Sequence, residues 1–381
     1  MDVHFNKHEL INLRKTIHKY PELSGKEKET PRRILDYISK FNPDRIIENI
    51  GKTGLAAIFE GKAEGPTVLF RCDLDALPIQ EVNEIDYKSV HNNIAHKCGH
   101  DGHMAIMSGF AEVISQNRPR KGRVVLLYQP SEENGQGAEM VIKDNKFKEI
   151  EPDYVFALHN LPGYSKSSII SRKGTFAAGS KGMINRLYGK TAHAGEPENG
   201  NSPALAMADV VRDLTFLPKH NSYFEDFTLI TIIHARLGEI AFGTTPGYAE
   251  VMATLRTYSN DDMDVLTQKS LKIVDKHIRS QKLKSETEWV EEFPATINNE
   301  ECVDLIEEVA KNEGLDVFKP EEPLRWSEDF SQFTIRYPGA LFGLGSGTEQ
   351  PQLHNPDYNF PDEIIEAGIK VFYGIYKKFL Q

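Results

Sequence analysis

The chain predicts an α/β fold carrying a second, smaller domain inserted within it, and three observations carry that expectation. Short apolar runs bounded by Gly and Pro alternate with stretches that are apolar at helical spacing, the pattern of helices packed on a sheet. Residue types that bind metal follow the carboxyl ends of several of those runs, the edge where open α/β sheets bind ligands. Between about 180 and 292 the order changes to strand, helix, strand, strand, helix, strand, the βαββαβ ferredoxin-like pattern. The expected division is therefore 1–179 with 293–381 as one domain and 180–292 as the insert.

Taken in order, residues 8–20 place Leu10, Leu13 and Ile17 on one helical face, ending before Pro21. A second helix is expected from about Thr30 to Lys40, with Pro31 near its start. Gly54–Glu60, Thr67–Arg71, Val124–Gln129, Tyr154–Leu158 and Leu341–Gly345 read as strands. Helices are expected over 103–116, 136–144, 299–312 and about 361–380. In the insert the strands are Gly182–Tyr188, Phe227–Ala235, Tyr248–Tyr258 and Glu286–Phe293, with helices over 202–217 and 262–280. Thr228–Ile233 is apolar and β-branched, which fits either an edge that pairs between subunits or a central strand.

The chain has 381 residues, 39% of them hydrophobic, enough for a soluble globular protein with a sizeable core. Lys and Arg number 45 against 56 Asp and Glu, giving −11, with no basic run; nucleic acid and anionic membrane are poor partners for such a surface. The three cysteines, Cys72, Cys98 and Cys302, make no disulfide framework and fit a reducing compartment. The first residues lack the apolar core of a signal peptide, and no apolar run approaches the ~20 residues of a membrane span. The expected location is the cytoplasm.

The densest chemistry lies at His96–His103, which holds Cys98, three histidines (His96, His100, His103) and Asp101 in a loop feeding a helix, with Gly99 and Gly102 allowing tight turns. Thiolate and imidazole are ligands that zinc and its neighbours prefer. Asp73, Glu132, Glu133, His159 and His354 all fall just past the ends of expected strands. Cys98, His100, Glu133, His159 and His354 then give five ligands, more than one closed zinc site needs, and a thiolate can bridge two cations. A metal pair lowers the pKa of bound water to near ~7 and clamps a developing oxyanion. Of the Glu132–Glu133 pair, one carboxylate is expected to bind metal and the other to act as general base.

Two residues of the insert are candidates on weaker grounds. His193 stands among small residues in Gly189–Gly195, which fits either a functional or a structural histidine. Arg256 ends a strand and fits either a carboxylate-binding group or a surface salt bridge. Gly51-Lys52-Thr53 and Gly189-Lys190-Thr191 lack the preceding glycine of a phosphate loop, and no Gly-x-Ser-x-Gly elbow is present. Cys72 reads as a buried strand residue. Rival readings are a dipeptidase or carboxypeptidase, a metal-binding protein without catalysis, and a thiol hydrolase using Cys98.

Arg71-Cys72-Asp73-Leu74-Asp75-Ala76-Leu77-Pro78, Cys98-Gly99-His100-Asp101-Gly102-His103, Gln129-Pro130-Ser131-Glu132-Glu133, Ala157-Leu158-His159 and Leu353-His354-Asn355-Pro356 stand in a familiar order. Over nearly its whole length the chain resembles the two-metal aminoacylase/carboxypeptidase superfamily, in the branch of hippurate hydrolases, auxin-conjugate amidohydrolases and N-acyl-amino-acid deacetylases. The resemblance implies a zinc-peptidase-like catalytic domain with an inserted dimerisation domain, and a homodimer formed through that insert. It implies that Cys98, His100, Glu133, His159 and His354 bind two divalent metals; beside them Asp73 and Asp101 are expected as supporting carboxylates. It further implies Glu132 as general base and His193 as a group that stabilises the tetrahedral intermediate. Manganese is favoured by the resemblance and zinc by the thiolate, with cobalt and nickel also used in the superfamily. The implied reaction is amide hydrolysis of an N-acyl-L-amino acid. The chain departs from its relatives at Gly243-Thr244-Thr245-Pro246, where Asn-Val-Ile-Pro is usual, and at Glu198, where a second histidine is common.

Overall fold

The structure, a computed structural model, describes residues 3–381 and divides into two compact units. Ala177–Ala295 together with Pro323–Ser327 form the second unit; the rest of the described chain forms the first.

The first unit is built on an eight-stranded mixed sheet. Its leading strands are β1 (Arg45–Ile50), β2 (Gly54–Glu60), β3 (Ala63–Asp73), β4 (Lys121–Gln129) and β5 (Tyr154–Pro162). The order is β1, β2, β4, β3, β5, then Gly339–Gly347, Ile169–Ile170 and Val317–Phe318. β3 lies between β4 and β5 and runs parallel to both, so Val68 pairs with Val124 on one side and Tyr154 on the other. A strand buried on both faces reads as a continuous apolar run, which is why Val68–Phe70 and Val124–Tyr128 were legible. Around Phe70 the rings of Phe110, Phe372 and Phe156 pack at 4.9, 5.0 and 5.8 Å, joining sheet to helices.

Helices α1 (Lys7–Lys19), α2 (Glu29–Ile38) and α3 (His100–Gln116) and the helix Ile365–Leu380 contribute to that same core. α1 starts where the Asn6 side chain accepts the Glu9 N–H, and it buries Leu10 and Ile17. It also buries Arg14 and His18, two polar residues on an apolar face that both bond the Asp101 carboxylate.

Several boundaries differ from expectation. α3 begins at His100 rather than 103, so His100, Asp101 and His103 sit in its first turn. β5 runs through His159 to Pro162 because pairing with Gly339–Gly347 continues past Leu158; His159 is inside a strand, opposite Gly343. β1 went unread because it is an edge strand that buries only Ile47 and Ile50 and shows no apolar run. Gly102 is helical, and its role is close packing: a Cβ there would lie 2.3 Å from the Phe360 ring.

The second unit has strands Gly179–Tyr188, Thr228–Leu237, Tyr248–Thr257 and Lys284–Phe293 with helices Ala204–Phe216 and Asn260–Ser280, in βαββαβ order. The sheet order is Thr228–Leu237, Tyr248–Thr257, Gly179–Tyr188, Lys284–Phe293, every neighbour antiparallel. Tyr248–Thr257 alternates buried and half-buried residues, and Val251 and Leu255 meet Val210, Leu214, Leu266 and Val274 in a separate core. Thr228–Leu237 is at the sheet edge, with only Ile230 buried and Ile233 61% exposed. The second unit is wider than the expected 180–292, because Pro323–Ser327 belongs to it as well. That segment joins the second unit by the Ala178 N–H to Leu324 carbonyl bond (2.8 Å) and by contacts to Arg256. Among the described residues no helix is long and apolar enough to cross a membrane.

Candidate metal centre

Five chain segments of the first unit deliver the candidate side chains. β3 ends at Asp73, and the loop after it carries Asp75. β4 ends at Gln129, and Ser131 then takes a left-handed backbone (φ 55°) that turns the chain into Glu132 and Glu133. Gly99 has φ 95°, and a Cβ there would sit 2.5 Å from Asn160 Oδ1, so only glycine can bring Cys98 and His100 together at the start of α3. His159 comes from β5. His354, also left-handed (φ 66°), lies after Gly339–Gly347 and is tied to the cluster by its N–H to the Lys97 carbonyl (2.8 Å).

These residues converge. Cys98 Sγ lies 3.4 Å from His159 Nε2. His100 Nε2 lies 3.7 Å from Glu133 Oε1 and 3.9 Å from Glu132 Oε2, and His354 Nε2 lies 3.7 Å from Glu133 Oε2. Cys98, His100 and His159 form one triad of donor atoms within 4.8 Å of one another; Cys98, Glu133 and His354 form a second. The thiol belongs to both, as a bridging ligand must.

Backbone carbonyls set the tautomers of two rings. A carbonyl only accepts, so the bonds from His100 Nδ1 to Asp75 O and from His159 Nδ1 to Asn160 O, both 2.9 Å, put the proton on Nδ1. In its neutral form each ring presents the Nε2 lone pair to the cluster, the arrangement metal-ligating histidines use.

Asp75, not singled out from the sequence, is the main support. Its carboxylate accepts the N–H of Glu132 (3.1 Å), the N–H of Glu133 (3.0 Å) and the Ser24 hydroxyl (2.6 Å). Asp73 approaches His100 Nε2 at 3.6 Å and binds His103 Nδ1 at 2.6 Å; His103 Nε2 in turn meets Asn160 Oδ1 at 2.5 Å. Asp101 turns away from the donor atoms: its carboxylate takes Arg14 Nη1 and His18 Nδ1, both at 2.9 Å. His18 Nε2 reaches Glu81 at 3.0 Å, and Lys97 reaches the same carboxylate at 2.7 Å. Asp101 thus anchors the loop to α1. His96 is buried with neither ring nitrogen hydrogen-bonded, and burial lowers its pKa to about 3.

The electrostatics call for a cation. Burial works against a charged His100, yet Asp73, Asp75 and Glu133 outweigh it and raise its pKa to about 10. Burial pushes Glu133 up to about 8 and raises the Cys98 thiol, whose ionisation Glu133 and Glu132 also oppose. Glu132 is raised by burial, Glu328, Glu133 and Asp329, against the pull of Arg71. His100 Nε2 and Glu133 Oε1 are buried without a hydrogen-bond partner. Uncompensated buried polar atoms are costly, and a divalent cation would satisfy both. The donor set of one thiol, three imidazoles and a carboxylate fits metal of the zinc or manganese kind.

In the second unit, His193 is exposed on a two-residue strand paired with Thr244. Its Nδ1 accepts the Gly195 N–H at 3.1 Å, so the neutral ring carries its proton on Nε2, as a donor. Arg256 Nη1 donates to the Arg325 carbonyl (2.8 Å) and to Ser327 Oγ (3.0 Å). Among the described residues no carboxylate pairs with Arg256, so a surface salt bridge does not account for it.

Residues 69–378 match the model of peptidase family M20/M25/M40. The chain belongs to that family. It is 30% identical over 374 residues to the N-acetyl-L-cysteine deacetylase of Bacillus subtilis (strain 168), covering 97% of this chain and 87% of the relative. It is 28% identical over 380 residues to the hippurate hydrolase of Campylobacter jejuni, covering 98% and 97%. Its fold matches a Bacillus subtilis crystal structure described as a dinuclear metal binding peptidase from the M20 family, with TM-score 0.82, 24% identity and 97% and 96% coverage.

Proposed function

We propose that the protein hydrolyses the amide bond of N-acyl-L-amino acids, with two divalent cations held by Cys98, His100, Glu133, His159 and His354. The observation that carries this reading is the shared thiol between two donor triads, flanked by histidines whose bare nitrogens face it. The deacetylase and hippurate hydrolase relatives support the substrate class. When bound, the cations would polarise the amide carbonyl and bring a water molecule's pKa toward ~7.

The chain's own groups do the rest. Glu132 takes the proton of the attacking water on its carboxylate and passes it to the leaving amine. Its backbone is held for this by Asp75. His193, with Nε2–H as donor, stabilises the oxygen that gains negative charge. Arg256 binds the substrate carboxylate with the guanidinium N–H groups left over from Ser327 and Arg325.

The thiolate favours zinc and family likeness favours manganese, cobalt and nickel being alternatives in the same site. The exposed edge strand Thr228–Leu237 is the surface through which two copies pair. Three free, buried cysteines fit the cytoplasm. The test is release of free amino acid from hippurate and N-acetyl amino acids in the presence of manganese or zinc. Glu132→Gln should bind metal and lose turnover by about 10²–10⁴-fold. Equal turnover in wild type and variant, or cleavage of free dipeptides alone, would refute the scheme.

A further inference from the structure

We infer that Glu27 is a positioning residue for the metal centre, acting through the backbone of Ser131. The inference rests on the reading of Glu132 and Glu133 given above. Glu27 lies in the loop between α1 and α2, more than a hundred residues from the carboxylates it would serve, and its side chain is fully buried. One oxygen accepts the Ser131 N–H at 2.8 Å; the other accepts the Thr53 hydroxyl at 3.0 Å. Thr53 closes the turn Gly51-Lys52-Thr53 between β1 and β2, a motif without a phosphate-binding role.

The bond matters because of what Ser131 does. A non-glycine residue resists the left-handed region, and Ser131 holds φ 55° at the one point where the chain must leave β4 and aim two successive carboxylates into the cluster. Its own hydroxyl finds no hydrogen-bond partner, so the side chain does not hold the turn. Holding falls to the peptide groups: the Ser131 carbonyl accepts the Gly137 N–H at 3.0 Å, and the Ser131 N–H is held by Glu27. Asp75 then receives the next two N–H groups, those of Glu132 and Glu133. Three successive peptide N–H groups are thus taken by two buried carboxylates. Without Glu27 the first of them loses its partner, and Ser131 is free to relax toward ordinary φ. Glu132 and Glu133 would rotate with it.

The test is metal affinity, measured by titration calorimetry with manganese and with zinc, with circular dichroism to confirm the fold. Glu27→Ala should weaken binding about 10-fold, the lower end for lost supporting partners. Glu27→Gln still presents an acceptor to Ser131 and an amide to Thr53, and should bind within about 3-fold of wild type. Glycine takes the left-handed region freely, so in a Ser131→Gly background the Glu27→Ala cost should drop to about 2-fold. Thr53→Val keeps Glu27 but frees one of its oxygens, and should weaken binding about 3-fold even if Glu27→Ala fails to fold. Wild-type affinity in folded Glu27→Ala or Thr53→Val would overturn the inference while leaving the metal centre standing. A Glu27→Ala loss of the same size with and without the Ser131→Gly change would also overturn it. Absence of metal binding by the wild type would instead remove the reading on which it rests, and the inference with it.

Discussion

Arg71→Met tests whether the floor of the site is held by a single buried charge. Arg71 donates from Nη1 to Asp73 (2.8 Å), from Nη2 to Glu328 (2.9 Å) and Asp329 (2.6 Å), and from Nε to Gln129 (2.9 Å). The guanidinium and all three carboxylates are buried. Methionine retains much of the volume and removes the charge, and losing one partner of such a network costs about 3–5 kcal/mol. The cost should depend on pH. Burial already pushes Asp329 up to about 8, with Arg71 pulling down and Glu328 pushing up. Without Arg71 the native Asp329 carboxyl is driven further toward protonation, whereas an unfolded carboxylate titrates near ~4. For carboxylates raised in the folded state, the native form holds more protons than the unfolded form above that value, so stability falls as pH rises. The deficit of the variant should therefore be smallest near about pH 5 and grow as pH rises through about 8, where wild-type Asp329 releases its proton and the variant's does not. Urea unfolding of both proteins across that range, in chelator so that metal does not contribute, reads it directly. A deficit under about 1 kcal/mol, or one that is flat with pH, would refute the reasoning.

Three further outcomes are expected. Burial pushes Glu81 up, but His18 and Lys97 hold it from its ordinary 4.5 down to about 2; its stabilising contribution is present above 4.5 and is lost as pH falls toward 2. Glu81→Gln should accordingly show a flatter acid-unfolding curve in that window, and an unchanged curve would argue against the pair. Arg256→Ala should raise KM for N-acetyl amino acids by about 10–100-fold and leave the corresponding amides, which lack the carboxylate, unaffected; equal losses on both would rule out carboxylate recognition. Ile233→Lys on the exposed edge strand should turn a dimer into a monomer by sedimentation, and a dimer that survives the lysine must use another surface.

Much of the convergence of the candidate donors was legible in the sequence. Cys98 and His100 stand in a dense run of thiol and imidazole groups, and Glu133 and His354 lie just past strands of one sheet. Asp73 was visible as one of two carboxylates two residues apart, yet Asp75 proved the one that holds Glu132 and Glu133. Nothing in spacing distinguishes them, since in an extended strand residues two apart project the same way. Asp101 was expected to support the candidate ligands as one of the groups in the His96–His103 loop. The first turn of α3 instead directs it to Arg14 and His18. Arg14 and His18 are polar residues on an otherwise apolar helix face, and the spacing of Leu10, Leu13 and Ile17 carries no sign of their role. Glu328 and Asp329, about two hundred residues from Gln129, carried no local signal at all.

The sequence by itself determined the alternation of strands and helices, the βαββαβ order of the second unit and the choice of candidate donor residues, because these follow from short-range periodicity and from side-chain chemistry. Only the tertiary structure decided which nitrogen of His100 and His159 is bare, that one thiol serves two triads, and that Thr228–Leu237 is an edge. Those facts depend on which backbone carbonyl or neighbouring strand lies within about 3–5 Å. Such proximity is created by chain folding between residues far apart in sequence, and no local pattern records it.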